Sequence, residues 1–352
     1  MTYESACREK VKALKAQNTV RILALETSCD ETAASIVENG RTVISNVVFS
    51  QIDLHALYGG VVPEIASRAH VEACDRVIDE ALAQAGMAFS QIGALAVTHG
   101  PGLVGALLTG VSCMKGLAYA LNLPLIPVNH IEGHVSANYL SHPDLKPPFL
   151  CLVVSGGHSH LIEIQDYGVY RLLGQTQDDA AGEAFDKAAR ILDLPYPGGP
   201  RLDKLAEEGA PSAFALPKPK PDGRYDYSFS GLKTAFINEA HKLNQQGKPL
   251  PKADMAASFR MAVVSSLCEK ALLAARDTKA AALALAGGVS ANSLLRRMMQ
   301  EQCDTAGIPL YMPKLSLCTD NAAMIASAAY YRLMRGDIGD LTLNAQPALR
   351  LI

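Results

Sequence analysis

The sequence predicts a duplicated α/β protein, and three observations carry that expectation. Short apolar strands alternate with longer helical patterns, which implies crossovers and a largely parallel sheet. A unit of strand, tight turn, strand and strand occurs twice, beginning near residues 21 and 149 and each time leading into helices. The length of 352 residues suits two domains at about 100–200 residues each.

The first unit opens with the strand Arg21–Leu25, the polar turn Glu26-Thr-Ser-Cys-Asp-Glu31 and a second strand, Thr32–Val37. Asn39-Gly40 follows, a strong hairpin signal because both turn positions need positive φ. The third strand is Thr42–Phe49. Helix follows over Pro63–Ala85, with Pro at its start and Gly86 after it. Strands Ala94–Thr98 and Leu125–Val128 flank a helix over Leu103–Leu121. The second unit has strands Phe149–Val154, Ser159–Ile164, Val169–Leu173 and Ala282–Leu285. Residues 1–20 lack the apolar centre of a secretory signal and read as a frayed or helical extension.

Composition narrows the function. Apolar residues make up 49% and charged residues 19%, enough for ordinary cores and too apolar for a disordered chain. The net charge of −3 means that any nucleic-acid contact comes from a local patch. Eight cysteines with no CxxC pair suit reduced, buried thiols in a cytoplasmic protein. The longest apolar stretches, such as Ala106–Val128, are broken by Gly, Lys, Asn or Pro, so no membrane span is expected.

The sharpest chemical signal is His130-Ile-Glu-Gly-His134. Histidines four apart share one helix face and reach one metal ion. A zincin peptidase needs its carboxylate directly after the first His. Glu132 instead lies about 200° around the helix and is expected to tolerate change like a surface residue. Asp320, in Cys318-Thr-Asp-Asn-Ala322, is the candidate third ligand; its alternative role is an N-cap for the Ala-rich helix that follows. Four glycine turns favour a nucleotide: Gly100-Pro-Gly102, Ser155-Gly-Gly157, Pro197-Gly-Gly-Pro200 and Gly287-Gly288. The last leads from a strand into a helix over Ser290–Met299, where an anion suits the helix N-terminus. Acids cluster at Asp30 and Glu31, and at Asp178, Asp179, Glu183 and Asp186. The segment Pro217–Lys252 holds seven Lys/Arg, among them Lys218, Lys220 and Arg224, against three acids. With Tyr225, Tyr227 and Phe229 among the charges it is a candidate polynucleotide contact; a solvated loop has the same composition.

Taken in order, ten segments closely resemble the tRNA threonylcarbamoyladenosine synthase family of the TsaD type. They are Glu26-Thr-Ser-Cys-Asp-Glu-Thr32, Tyr58-Gly-Gly-Val-Val-Pro-Glu64, Gly100-Pro-Gly-Leu-Val-Gly105, His130-Ile-Glu-Gly-His134, Val154-Ser-Gly-Gly-His158, Asp178–Lys187, Tyr196-Pro-Gly-Gly-Pro200, Phe229-Ser-Gly-Leu-Lys-Thr234, Gly287-Gly-Val-Ser-Ala-Asn292 and Cys318-Thr-Asp-Asn321. The resemblance implies an actin-like fold of the sugar-kinase/heat-shock ATPase class, with two lobes around a nucleotide cleft. On it the chain divides into an extension (1–20), a first lobe (21–129) on which a helix at 321–340 packs back, and a second lobe (130–320) carrying the metal and nucleotide sites.

The implied activity is transfer of a threonylcarbamoyl group from threonylcarbamoyl-AMP to N6 of the adenosine 3′ of the anticodon in tRNAs reading ANN codons. By position, His130, His134 and Asp320 hold one divalent metal, iron(II) or zinc. Val153, Val154, Ser155, Gly156, Gly157, Asp186, Gly199, Asp203 and Asn292 hold the adenylate, and Asp30 and Glu31 are the acids needed for activity. The implied partners are tRNA, a shorter paralogue of the same fold (TsaB type) and a P-loop ATPase (TsaE type). A metallopeptidase and a non-catalytic actin-like nucleotide-binding scaffold are the rival readings.

Overall fold

Both halves of the chain build a five-stranded mixed sheet of one topology. The computed structural model describes residues 3–218 and 221–352. In the first sheet β1 (Arg21–Glu26), β2 (Glu31–Glu38) and β3 (Thr42–Ser50) are antiparallel neighbours, and β4 (Ala94–Gly100) and β5 (Leu125–Asn129) continue parallel to β1. Its order is β3-β2-β1-β4-β5. The second sheet repeats this with β6 (Phe149–Val154), β7 (Ser159–Asp166), β8 (Val169–Gln175), β9 (Leu283–Ala286) and β10 (Leu310–Tyr311), in the order β8-β7-β6-β9-β10. The expected duplication is therefore a repeat of strand order and direction. Asn39 (φ 52°) and Gly40 (φ 68°) form the turn between β2 and β3, and the Asn39 side chain accepts the Val20 N–H at 2.8 Å.

The helices follow in chain order: α1 (Tyr3–Lys15), α2 (Ile52–Ala56), α3 (Pro63–Ala85), α4 (Val104–Leu121), α5 (His130–Ser141), α6 (Ala181–Ile191), α7 (Gly198–Leu205), α8 (Ser230–Gln245), α9 (Lys252–Thr278), α10 (Ser293–Ala306) and α11 (Ala322–Arg335). Strand residues Leu23, Leu25, Ile36, Leu95 and Val97 share one core with Val77, Ile78 and Ala81 of α3 and Val111 and Met114 of α4. α5, buried over nearly its whole length, packs against α11, which is buried from Ala322 to Ala329 and also lies on β1 and β2.

Two expectations need correction and one is narrowed. The compact units are residues up to Leu145 with Thr319–Ile352, and Lys146–Cys318, not lobes meeting at 129/130. Because α5 packs along α11, the histidine pair belongs to the first unit. Of the two readings of the N-terminal extension, frayed or helical, residues 3–15 take the helical one: α1 buries Cys7, Val11 and Leu14, Leu14 packs on Gly93, and the Tyr3 hydroxyl donates to the Leu123 carbonyl at 2.7 Å. Finally, α4 is long and apolar enough to cross a membrane, at 18 residues and mean hydropathy 1.4. Here Ala106, Leu107, Val111 and Met114 face the core of the first unit, as in a helix of a globular domain.

Leu14→Ala is therefore expected to destabilise the first unit by about 2–3 kcal/mol, the cost of truncating a buried leucine. Chemical denaturation followed by circular dichroism measures it; an unchanged midpoint would return α1 to the status of a loose appendage.

Candidate metal centre and nucleotide half-site

The first unit brings two histidines and an aspartate together at the start of α5 and of α11. Asn129 caps α5, accepting the Ile131 N–H at 2.9 Å, so His130 stands in the first turn and His134 one turn later, with ring centroids 4.6 Å apart. Asp320 meets both: its Oδ1 is 3.4 Å from His130 Nε2 and 3.3 Å from His134 Nε2. Asp320 is not the N-cap of α11. Asn321 takes that role, accepting the Met324 N–H at 3.0 Å, which leaves the Asp320 carboxylate to the histidines.

These residues fit a metal ion. One donor atom from each of the three lies within 4.8 Å of the others, and two imidazole nitrogens with one carboxylate oxygen suit zinc or iron(II). His134 is fully buried, and apart from the 3.3 Å approach of Asp320 to Nε2 its ring nitrogens lack a well-aligned hydrogen bond, an expensive state for a polar group that a coordinate bond relieves. The Asp320 side chain keeps 21% of its surface exposed, so the group is open on one side, as catalytic sites require.

Glu26, which the sequence reading left without a role, lies behind the group. Its Oε2 accepts the Thr98 hydroxyl at 2.5 Å and lies 3.2 Å from His130 Nδ1; its Oε1 accepts the Ser28 N–H at 2.5 Å. A carboxylate at Nδ1 fixes the tautomer that offers Nε2 as ligand. Burial alone would lower the His130 pKa, but Asp320 and Glu26 outweigh it and raise it well above the ordinary value; a cation replaces that Nε2 proton on binding. Burial opposes the charge of Asp320 too, yet His130 and His134 hold its carboxyl well below the usual range.

Asp30 and Glu31 stand beside this group. Asp30 is buried. Burial, followed by the Asp320 and Asp30 charges, pushes Glu31 up to about 10. Glu132 is off the metal face, as expected, but it is not a surface residue. It is buried and accepts from Arg332 of α11 at 3.0 Å.

The nucleotide candidates gather in the second unit. Val153 and Val154 end β6 and are buried, and the turn Ser155–His158 closes by a Ser155 N–H to His158 carbonyl bond of 2.8 Å. A Cβ on Gly156, Gly157 or Gly288 would meet nothing within 4 Å, whereas one on Gly182 would strike the Ser155 carbonyl and one on Gly287 the Val154 carbonyl. The first three therefore line open space, and the last two serve backbone packing. Asp186 Oδ1 accepts the Gly199 N–H at 2.9 Å at the start of α7. Asp203 accepts from Asn292 Nδ2 at 2.9 Å, from Ser293 N at 2.9 Å and from Arg260 at 2.8 Å. Arg260, which motif reading did not find, is buried and neutralises Asp203 and Glu207. The other acids are structural: Asp178 accepts the Phe229 N–H at 2.7 Å at the start of α8, and Asp179 bonds Lys233 and Lys187.

The basic segment is largely neutralised by acids outside it or nearby. Arg224 pairs with Asp277 at 2.8 Å, Lys252 with Asp193 at 3.0 Å, Lys242 with Glu239 at 3.3 Å, and Lys218 with Glu269 at 3.9 Å. Tyr227 and Phe229 are fully buried and cannot stack on bases. Lys220 lies outside the described residues.

A family model described as TsaD: tRNA N6-adenosine threonylcarbamoyltransferase matches residues 42–327. A relative of that name from Clostridium perfringens is 54% identical over 331 residues, covering 94% of this chain and 98% of its own. One from Moorella thermoacetica is 55% identical over 331 residues, covering 94% and 97%. Among solved structures, HypF of T. kodakarensis superposes with a TM-score of 0.62 at 14% identity, over 90% of this chain and 48% of that one. Full-length HypF in its phosphate- and nucleotide-bound form gives 0.60 at 15% identity, over 89% and 55%. At such identities the structural likeness shows the fold alone, the actin-like duplicated α/β architecture.

His134→Ala is expected to lower bound zinc or iron with the fold retained, because it removes one of the three candidate ligands. Glu26→Gln is expected to weaken metal affinity about 10–100-fold. Metal titration of the stripped protein reads both, and undiminished affinity in His134→Ala would remove the triad as the site.

Proposed function

The chain belongs to the TsaD family, the tRNA N6-adenosine threonylcarbamoyltransferases, and from that premise we propose how its residues divide the work. It is a transferase that places a threonylcarbamoyl group on N6 of a tRNA adenosine. The donor is threonylcarbamoyl-AMP and the acceptor the adenosine 3′ of the anticodon in tRNAs reading ANN codons. Family membership carries the activity; the gathering of His130, His134 and Asp320 carries the assignment of the chemistry to the first unit.

The adenylate goes to the second unit, with Gly156 and Gly157 offering backbone N–H groups to its phosphate and Asp186, Gly199, Asp203 and Asn292 the polar contacts to its nucleoside, beside Val153, Val154 and Ser155. In the first unit His130, His134 and Asp320 hold one divalent ion, iron(II) or zinc, which supplies Lewis-acid polarisation of the carbamoyl carbonyl. Asp30 accepts the proton that the adenine amine loses as its nitrogen bonds the carbamoyl carbon and the bond to the phosphate oxygen breaks, releasing AMP. An aromatic amine is a weak nucleophile, so positioning contributes more than base strength, and the base must leave its stack to react. The exposed ends of Lys218 and Arg224, with Lys220, are offered to the tRNA backbone; exposed ion pairs are weak and a phosphate competes for them. A tRNA substrate and eight free cysteines suit the cytoplasm. A shorter paralogue of the same fold and a P-loop ATPase complete the machinery.

Incubation with synthetic threonylcarbamoyl-adenylate and unmodified tRNA, with mass analysis of the nucleosides, tests the activity. Asp30→Asn is expected to cut transfer at least tenfold with metal retained. Glu132→Gln, which leaves Arg332 without its charged partner, is expected to cost about 1–3 kcal/mol of stability and little turnover. A peptidase would lose all turnover with Glu132, so an inactive, folded Glu132→Gln beside an active Asp30→Asn would overturn these roles. Charge reversal at Lys218 and Arg224 is expected to flatten the salt dependence of tRNA binding; an unchanged slope would make the segment a solvated loop.

A further inference from the structure

Behind Asp30 and Glu31 runs a buried polar chain that neither the metal nor the nucleotide uses. His70 of α3 is fully buried. Its Nε2 lies 2.9 Å from the Cys29 carbonyl, and its Nδ1 lies 2.8 Å from Thr32 Oγ1 and 3.4 Å from Gln51 Nε2. Gln51 Oε1 lies 3.1 Å from His55 Nε2, and His55 Nδ1 lies 3.3 Å from the Val62 N–H. The Gln51 backbone N–H donates to the Asp30 carbonyl at 3.0 Å.

The two ends of this chain settle every proton in it. A carbonyl only accepts, so His70 carries a proton on Nε2 and donates it in a hydrogen bond to the Cys29 carbonyl; the single lone pair of Nδ1 then accepts chiefly from the Thr32 hydroxyl, with the Gln51 amide sharing it in a longer contact. A backbone N–H only donates, so His55 accepts from Val62 at Nδ1 and donates from Nε2 to Gln51 Oε1. Rotating the Gln51 amide would set oxygen against a lone pair at His70 and N–H against N–H at His55. Burial lowers the His70 pKa, in keeping with the neutral ring this pattern needs. Polar networks are worth building into a core when each member is satisfied, and they then specify one conformation.

We propose that His70 is a positioning residue for the acid pair: it ties residue 29 to residue 32 across Asp30 and Glu31, and Gln51 and His55 lock its ring. The Asp30 backbone is held from both sides, by His70 at the preceding carbonyl and by Gln51 N–H at its own. The direction of the Asp30 carboxylate is thus set from α3 and the α2 region. This rests on Asp30 being the proton acceptor.

The test is a double-mutant cycle in the assay where the unaltered chain turns over. His70→Leu is expected to lower kcat at least tenfold, with KM for the acyl-adenylate and for tRNA within twofold and metal content unchanged. His70→Gln keeps an N–H toward the Cys29 carbonyl and is expected to recover most of kcat. In an Asp30→Asn background His70→Leu is expected to cost nothing further, because its effect runs through Asp30. Thr32→Val, which leaves the ring packed but removes a donor to Nδ1, is expected to show a smaller loss that also vanishes with Asp30→Asn, and it serves if His70→Leu does not fold. A folded His70→Leu with full kcat beside an impaired Asp30→Asn overturns the positioning role alone. Losses that multiply in the double variant overturn it as well. A fully active Asp30→Asn overturns the acceptor assignment on which it rests.

Discussion

The packing of α5 against α11 is the contact on which the proposed metal centre depends. Two candidate ligands come from α5 and the third from the residue two before α11, about 190 positions later in the chain. Gly133 has no side chain, so Ile325 packs where a Cβ would stand 2.6 Å from its terminal carbon. Glu132 and Arg332 pair across the same interface, and the Ser327 hydroxyl donates to the Gly40 carbonyl at 2.7 Å. A slip of one turn along α11, about 5.4 Å, would carry Asp320 out of reach of both imidazoles. A buried ion pair adds little net stability, and fixing register is its best-attested use; Glu132 and Arg332 occupy a position where register decides whether three ligands converge.

The duplication explains how one topology supports two kinds of site. In each unit the first strand runs into a turn and then an antiparallel partner, so the turn sits at the same place in both sheets. The first unit fills it with side-chain donors and acids from Glu26 to Glu31. The second fills it with Ser155, Gly156 and Gly157, which present backbone. Carboxylates suit a cation and a proton, and bare backbone suits a phosphate. The surrounding contacts sharpen the difference: Glu26 and His70 brace the acid turn, while the Gly182 and Gly287 backbones close in on the glycine turn and leave Gly156 and Gly157 open.

The sequence by itself determined what is local. Short continuous apolar runs placed strands such as Phe149–Val154, Asn39-Gly40 placed a hairpin turn, and the Pro and Gly flanks bounded Pro63–Ala85, because each depends on φ/ψ preference or on burial of local apolar side chains. The i, i+4 spacing put His130 and His134 on one helix face for the same reason. Tertiary structure decided what depends on distant partners. It alone brought Asp320 to the histidines and gave its expected cap to Asn321, and it set Glu26 behind His130. It turned Glu132 from a supposed surface acid into a buried partner of Arg332, since helical phase says which way a side chain points but not what lies there. It also paired the basic segment with Asp277, Asp193 and Glu269, because charge counted along a chain omits the acids that folding brings beside it. The unit boundary moved from 129 to 145 on the same ground: a helix belongs to the core that buries it, and the residues burying α5 lie in α11, at the far end of the sequence.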